Sequence, residues 1–289
     1  MRCYAVAMRP RLIVSDLDGT LLDPDGALSE ENLAAVDALA AQEIPFILAT
    51  GRCYIESKFV LQRIQSCRQM IGAAGALLTD TSDGSTLARE LLPAELITQV
   101  VSRVIAQGHP VQLLQDRSRC EHDYLLVGSA PLHPTMDWWL SSHGLSAHRT
   151  DSLEGLDLSH TVRIGVVGGP RELDGLTTRI EEAHGEELVI RHWPAVSETE
   201  DQPTYLLELF RRGVDKWTMI EQVVTQMGID PREVVTIGDG LNDMHMLAKA
   251  GLGIAMGQAQ PQVKASADRV VGDNREHGFA QAICELLRS

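Results

Sequence analysis

Residues 12–22 read L-I-V-S-D-L-D-G-T-L-L, an apolar run that ends in two aspartates, Asp16 and Asp18, with one leucine between them. The apolar start predicts a short buried strand, and Gly19 after the acids predicts that the chain then leaves the sheet in a tight turn. Alternate side chains of an extended segment share a face, so two ionised carboxylates at this spacing would repel each other. The stretch therefore predicts that a strand ends here and that both acids belong to a functional site.

Strands and helices alternate after this first strand. A helix is expected to begin near Ser29, whose hydroxyl can accept a hydrogen bond from a free N–H of the first turn. Residues 45–50 indicate a second buried strand, and residues 70–73 a third. The helix between these two strands is expected to bury one side, formed by Ile55, Phe59 and Ile64. This β-α-β-α-β order is typical of a parallel sheet covered by helices.

The composition changes in residues 87–212, which hold eight of the ten histidines and three of the four tryptophans. This segment mixes paired strands with helices and is interpreted as an inserted α+β domain. Residues 1–86 and 213–289 then form the core domain. The predicted fold class is α/β, with a doubly wound, Rossmann-like parallel sheet interrupted by the insertion. Ligands of such sheets bind at the carboxyl ends of the strands, which is where Asp16 falls.

Charge and cysteine content exclude several classes of function. The formal net charge of −15 disfavours partners that are polyanions, so neither nucleic acid nor a membrane surface is expected to bind. The five cysteines are scattered and lack C-x-x-C spacing, which predicts neither a disulfide framework nor a zinc site and favours the cytoplasm. Residues 1–7 are interpreted either as a disordered extension before a start at Met8 or as an ordered first turn.

Polar side chains recur where other apolar strands of the predicted core end or where its helices begin. Thr50 stands in A-T-G-R, Lys216 in G-V-D-K-W, and Asp239, Asn242 and Asp243 in I-G-D-G-L-N-D. Each alone is more simply a turn, cap or solvated residue. Together with the acid pair at one sheet edge, they predict a site.

Asp16, Asp18 and Asp239 would bring up to three negative charges to that edge, which requires a cation or raised pKa values. A few hard oxygen ligands suit Mg²⁺. Calcium is less favoured, because the EF-hand pattern needs glycine at the sixth position, where Leu21 stands when counting from Asp16. A metal, a lysine and a threonine hydroxyl beside a carboxylate suit a phosphoryl group, which the carboxylate can attack while a second acid carries the proton.

Four motifs, taken in this order, resemble those of the haloacid dehalogenase superfamily of phosphatases: D-L-D-G-T-L (16–21), A-T-G-R (49–52), Lys216 and G-D-G-L-N-D (238–243). The insertion before Lys216 and the tail A-G-L-G-I-A-M-G (250–257) resemble the Cof-type subfamily, which carries a large C2 cap domain. The resemblance implies that Asp16 is the nucleophile that becomes an aspartyl-phosphate. It also implies that Asp18 is the general acid and base.

The same resemblance implies the remaining roles. Mg²⁺ would be held by the Asp16 carboxylate, the Asp18 backbone carbonyl and Asp239, with Asp243 binding directly or through water. Four groups would bind the phosphoryl oxygens or offset their charge: Thr50, the Gly51 amide, Lys216 and Asn242. Asn242 would contact either the phosphoryl group or the lysine. The chain departs from the usual family pattern at Ala74, Trp217 and Gln258, where asparagine, glycine and asparagine are common.

The expected function is Mg²⁺-dependent hydrolysis of small phosphorylated metabolites, with sugar phosphates as the favoured substrates and a monomer or homodimer as the expected state. A phosphohexomutase of the same superfamily is the first alternative, and a non-enzymatic phospho-acceptor signalling domain is the second. In the inserted domain, Arg163 or a histidine could read the leaving group, although the histidines lack zinc-ligand spacing. Trp138 and Trp139 are expected in that domain's core.

Overall fold

A computed structural model describes residues 10–194 and 204–288. The interpretation of residues 1–7 and Met8 lies outside these ranges. The chain divides into two compact units, one that extends to Leu87 and resumes at Asp215, and one that comprises Ala88–Val214.

The strands, numbered along the chain, are Leu12–Ser15 (β1), Phe46–Ala49 (β2), Gln69–Gly72 (β3), Leu77–Asp80 (β4), Thr86–Arg89 (β5), Val111–Gln115 (β6), Tyr124–Val127 (β7), Ala147–Thr150 (β8), Thr161–Gly168 (β9), Leu188–Pro194 (β10), Tyr205–Arg211 (β11), Val234–Gly238 (β12), Leu252–Ala255 (β13) and Arg269–Val270 (β14). The helices are Glu30–Ala41 (α1), Tyr54–Leu61 (α2), Ala94–Ile105 (α3), Pro134–Ser142 (α4), Pro170–His184 (α5), Lys216–Met227 (α6), Met244–Lys249 (α7), Pro261–Ser266 (α8) and Gly278–Arg288 (α9).

The first unit is built on an eight-stranded sheet in the order β14-β13-β12-β1-β2-β3-β4-β5. Its strands from β14 to β3 are parallel, and β4 pairs antiparallel with β3. Helices cover both faces, as neighbouring residues of β13 show: Ile254 packs in the cluster that includes α1 and α9, whereas Ala255 packs with Leu247 of α7 and Val263 of α8. Burial on both faces explains why strands such as β1 are apolar without alternation. The predicted fold class is confirmed.

The order of the strands creates a switch point beside β1. The chain moves from β1 to β2 and β3 on one side and later adds β12, β13 and β14 on the other. Ser15, the last residue of β1, lies opposite Ile237 of β12 and Leu48 of β2. Connections that leave in opposite directions open a crevice at the carboxyl ends of the strands. Asp16 and Asp239 directly follow the two strands that border it.

The second unit is a six-stranded sheet in the order β10-β11-β9-β6-β7-β8, antiparallel except between β7 and β8. Helices α3 and α5 pack against one face, where their buried side chains join Ile164 of β9. Arg163, its neighbour along the strand, therefore belongs to the opposite face. There it is buried, pairs with Glu208 at 2.5 Å and donates to the Tyr124 hydroxyl at 2.8 Å.

The expected buried side of α2 is wrong at Phe59, which is 44% exposed. Ile64 is buried in the core as expected but lies beyond the end of the helix, and Glu56 and Ser57 are buried on the helix instead. Polar burial is tolerated because these side chains bond the first residue before the helix: Glu56 Oε2 accepts from the Cys53 N–H at 2.6 Å, and Ser57 Oγ donates to the Cys53 carbonyl at 3.0 Å.

Two elements lack a signal in the sequence, and a second packing prediction is wrong. Strand β8 is mostly exposed and carries no apolar alternation, and α8 buries only Val263, so neither offers a periodic signal. Trp138 and Trp139 are half-buried and are not part of the core cluster formed by α3 and α5, whereas Met136 is buried on the same helix. Among the described residues, no helix has the length and apolarity needed to cross a membrane.

Candidate active site

A single wide turn, residues 17–21, begins directly after Asp16, contains Asp18, and is closed by the Leu22 N–H donating to the Leu17 carbonyl at 2.9 Å. Gly19 has a φ of +78°, and a Cβ at this position would overlap the carboxylate of Asp239. Only glycine combines that backbone conformation with so close an approach. The turn directs the two carboxylates to different partners. Asp16 pairs with Lys216, and Asp18 pairs with Arg52.

Asp16 is held by Lys216. The Lys216 Nζ lies 2.5 Å from Asp16 Oδ1 and 2.6 Å from Asp243 Oδ1, and the lysine is completely buried. Its position follows from the start of α6, where Asp215 accepts a hydrogen bond from the Thr218 N–H at 2.8 Å and so caps the helix at the lysine. A buried ammonium between two carboxylates is a fixed, water-shielded charge.

The loop after β12 holds Asp243 in place. Its Oδ2 accepts from the Asp239 N–H at 3.1 Å and from the Gly240 N–H at 2.9 Å. A Cβ on Gly238 would lie 2.6 Å from the Asp243 carboxyl carbon, which explains the glycine before Asp239. The G-D-G-L-N-D sequence thus folds so that its last acid reaches back to Lys216.

Asp16, Asp239 and Asp243 each offer a carboxylate oxygen, and these oxygens lie within 4.8 Å of one another. Burial raises the pKa of Asp16 well above its usual range, and the neighbouring Asp243 and Asp239 carboxylates add to this against the opposing effect of Lys216. Burial and Asp243 also raise the pKa of Asp239 to about 6. This set of hard oxygen donors, with an excess of acid over its single lysine, fits a divalent metal ion.

The carboxylate of Asp18 lies outside this cluster. It forms two hydrogen bonds with Arg52, from Nε to Oδ2 at 2.8 Å and from Nη2 to Oδ1 at 2.6 Å. The Asp18 side chain is 43% exposed, against 8% for Asp16. The carboxylates of Asp16 and Asp18 therefore have different surroundings, which avoids the repulsion expected if both stood on one face of a strand.

Sequence reasoning missed three residues that contact the acids. Besides Arg52, the Thr20 hydroxyl donates to Asp239 Oδ1 at 3.1 Å, and Gln258 Nε2 lies 3.4 Å from Asp239 Oδ2 and 2.5 Å from the Gly19 carbonyl. Arg52 and Thr20 stand inside the family motifs, and Gln258 replaces an asparagine that is common there. Nothing in their spacing indicates which acid each one contacts.

The other predicted residues, Thr50, Gly51 and Asn242, take part in none of the hydrogen bonds to Lys216 that are found among the described residues. Thr50 is buried, its N–H donates to the Ile71 carbonyl at 2.9 Å and its Oγ1 accepts from the Arg52 N–H at 3.1 Å. A Cβ on Gly51 would meet no atom within 4 Å. Asn242 is half-buried with its side-chain oxygen against Gly240, and none of the hydrogen bonds found among the described residues joins it to Lys216.

A crevice of this kind, at the switch point of a doubly wound sheet, is where α/β enzymes hold their substrates, and this defines the general class of the chain. More narrowly, the chain belongs to the haloacid dehalogenase-like hydrolases, since the model of that family matches residues 13–283.

Relatives of known function share nearly the whole length. The chain is 25% identical over 285 residues to the 5-amino-6-(5-phospho-D-ribitylamino)uracil phosphatase of Bacillus subtilis, covering 96% of this chain and 98% of that one. It is 25% identical over 283 residues to the HMP-PP phosphatase of Serratia proteamaculans, covering 96% of each. A haloacid dehalogenase-like hydrolase from Bacteroides thetaiotaomicron has the same fold, with a TM-score of 0.80 at 23% identity and coverage of 96% of this chain and 99% of that one. The predictions of the family and of a phosphatase are confirmed.

The raised pKa of Asp239 leads to a prediction for the metal-free protein. Between about pH 4 and the folded-state pKa of about 6, the folded state holds a proton that the unfolded state releases, so this group makes the free energy of unfolding fall as pH rises. Asp239→Asn cannot ionise and is expected to be more stable than wild type by about 3 kcal/mol at pH 7. The difference should vanish near pH 4. Urea unfolding of both proteins in EDTA, at several pH values, measures it. A difference independent of pH would contradict the assignment.

Proposed function

We propose that the chain is an Mg²⁺-dependent phosphatase that hydrolyses small phosphorylated metabolites through an aspartyl-phosphate on Asp16. The observation that carries this proposal is the Asp16 carboxylate itself, which is buried at the switch point and fixed through Oδ1 by Lys216. We assign the attack on phosphorus to Oδ2. A nucleophile held in one orientation beside a fixed positive charge is suited to this step.

The proposed reaction has two half-reactions. In the first, Asp16 Oδ2 forms a bond to phosphorus, the ester P–O bond breaks, and Asp18 gives its proton to the leaving oxygen. In the second, water attacks the phosphorus of the aspartyl-phosphate, Asp18 takes the water's proton, and inorganic phosphate leaves with the Asp16 carboxylate restored. The greater exposure of Asp18 supports its role, because the proton carrier must reach both the leaving oxygen and water.

The remaining side chains would stabilise charge. Mg²⁺, held by the Asp16, Asp239 and Asp243 carboxylates and the Asp18 carbonyl, would offset the charge of the phosphoryl oxygens. Thr50, the Gly51 amide and Asn242 would bind those oxygens, and Lys216 would neutralise the nucleophile. The acid cluster supports a divalent metal, since its carboxylates outnumber its one lysine.

We assign the choice of substrate to the inserted unit, and propose sugar or sugar-alcohol phosphates as the class. The name of the Bacillus subtilis relative, a phosphatase of a phospho-D-ribitylamino compound, supports this class. We also propose a cytoplasmic monomer or homodimer without nucleic acid or membrane partners. The four cysteines among the described residues are free thiols, which supports a reducing compartment.

A panel of phosphate esters tests the proposal. Inorganic phosphate would be measured after incubation with hexose 6-phosphates, pentitol phosphates and p-nitrophenyl phosphate, with Mg²⁺ and with EDTA. Phosphate release that requires Mg²⁺ is the expected result. Isomerisation of a hexose phosphate without release would favour the mutase, and a stable phosphoprotein without turnover would favour the signalling domain.

Asp18→Asn is expected to give a slow enzyme whose defect depends on the leaving group. The loss of kcat should be about 10²- to 10⁴-fold for a sugar phosphate, because its alkoxide needs a proton, and much smaller for p-nitrophenyl phosphate. Steady-state kinetics on both substrates measures this. Asp25→Asn, at an exposed aspartate in the following loop, is the matched control and should behave as wild type. Equal losses on both substrates would refute the role of Asp18 as the acid.

A further inference from the structure

Arg52 determines where the Asp18 carboxylate points. Its guanidinium donates two parallel hydrogen bonds, at 2.8 Å and 2.6 Å, to the two oxygens of Asp18. The arginine side chain is only 12% exposed, whereas the aspartate is 43% exposed. A carboxylate so open to solvent is not oriented by packing, so its direction depends on this bidentate contact.

Arg52 is itself fixed by the start of α2. Its Nη1 donates to the Glu56 carbonyl at 3.4 Å, and its Cζ lies 5.6 Å from the centre of the Phe59 ring. Its backbone N–H donates to Thr50 Oγ1 at 3.1 Å. The exposed Phe59 ring therefore packs beside the Arg52 guanidinium and not in the core. The arginine connects the Thr50 loop and α2 to the acid turn.

We propose that Arg52 is the positioning residue for Asp18, holding this carboxylate in the direction from which it exchanges protons with the leaving oxygen and then with water. The inference rests on the proposed function, in which Asp18 is the proton carrier. Each carboxylate oxygen has a second lone pair besides the one that Arg52 occupies, so the proton can be carried while the contact persists. Arg52 itself makes or breaks no bond in either half-reaction.

A positioning role has a kinetic signature. Without the two hydrogen bonds from Arg52, the Asp18 carboxylate can still transfer protons but samples many directions. A misplaced acid is expected to lower the rate of proton transfer to the leaving group roughly 10²-fold. The loss should appear in kcat for substrates with poor leaving groups and be small for p-nitrophenyl phosphate. KM should change little. Lysine keeps the charge but cannot pair with both oxygens in the same way, so Arg52→Lys should be intermediate.

The experiment compares wild type, Arg52→Ala, Arg52→Lys, Asp18→Asn and the double variant Arg52→Ala/Asp18→Asn. Values of kcat and KM are measured on p-nitrophenyl phosphate and on the best sugar phosphate of the panel. Two results are expected besides the leaving-group dependence. Low millimolar guanidinium should restore part of the sugar-phosphate turnover of Arg52→Ala but not of Asp18→Asn, and the double variant should be no slower than Asp18→Asn.

Arg232→Gln is the matched control, because it also removes an arginine bonded to both oxygens of an aspartate, Asp230, on the exposed surface of the same unit. It should have wild-type kinetics. If Arg52→Ala is unfolded by circular dichroism, the same comparisons on Arg52→Lys and its double variant test the inference.

Equal losses on both substrates, or losses in Arg52→Ala and Asp18→Asn that multiply in the double variant, would overturn the positioning role while leaving the phosphatase intact. The absence of phosphate release from every ester by folded wild-type protein is a different outcome. It would overturn the proposed function and this inference with it.

Discussion

Asp16→Asn is expected to abolish Mg²⁺-dependent release of phosphate, with a loss of at least roughly 10⁴-fold in kcat on p-nitrophenyl phosphate, as for removal of other covalent nucleophiles. The carboxamide has nearly the same shape but cannot attack phosphorus at a useful rate. Good and poor leaving groups should lose activity alike, which distinguishes this variant from Asp18→Asn. Undiminished turnover by Asp16→Asn would contradict the proposed mechanism.

The same variant should keep its fold. Burial and two neighbouring carboxylates raise the pKa of Asp16, so replacing the acid by a neutral amide relieves repulsion, and Lys216 retains Asp243 as a partner. The unfolding midpoint of Asp16→Asn in EDTA should therefore equal or exceed that of wild type. Asp37→Asn, at an exposed position of α1, is the control for both measurements. After an acid quench, wild type incubated with a phosphate-labelled ester should retain label on the protein, and Asp16→Asn should not.

Much of the core could be predicted because its signals are local. Residues 45–50 and 70–73, predicted as buried strands, contain β2 and most of β3, and α1 begins at Glu30, directly after the predicted cap Ser29, since each is an apolar run or a helix with a clear end signal. The approach of Asp16 to Asp239 was also foreseeable. In a parallel sheet the carboxyl ends of neighbouring strands meet, so groups far apart in sequence gather at one edge.

The contacts that orient the acids were not foreseeable. Thr20 and Gln258 reach Asp239 from positions 219 and 19 residues away, and Arg52 reaches Asp18 across 34 residues. Such pairings depend on the backbone path of each loop and on side-chain direction, neither of which has a periodicity. The wrong prediction that Phe59 is buried has the same origin, because its ring packs beside the Arg52 guanidinium and not in the core.

Lys216→Met is expected to have the largest effect on stability. The substitution leaves the buried carboxylates of Asp16 and Asp243 without their cation, and breaking a buried pair in this way costs about 3–5 kcal/mol. The effect should be greatest at neutral pH in EDTA. It should shrink with added Mg²⁺, whose charge replaces part of the lost one, and as pH falls, because Asp16, whose folded pKa is raised, then takes up a proton. Lys249→Met, at an exposed lysine of α7, is the control.

A double variant separates the structural effect of Lys216 from its chemical effect. Lys216→Met/Asp16→Asn removes the lysine together with one of its acids and should recover part of the stability lost by Lys216→Met, since fewer buried charges remain unpaired. It should not recover phosphatase activity. A single variant less than about 1 kcal/mol below wild type would contradict the buried pairing, because a solvated lysine contributes no more than that. Recovered stability without activity would instead show that the chain keeps three acids around one lysine for the reaction, at the expense of its own stability.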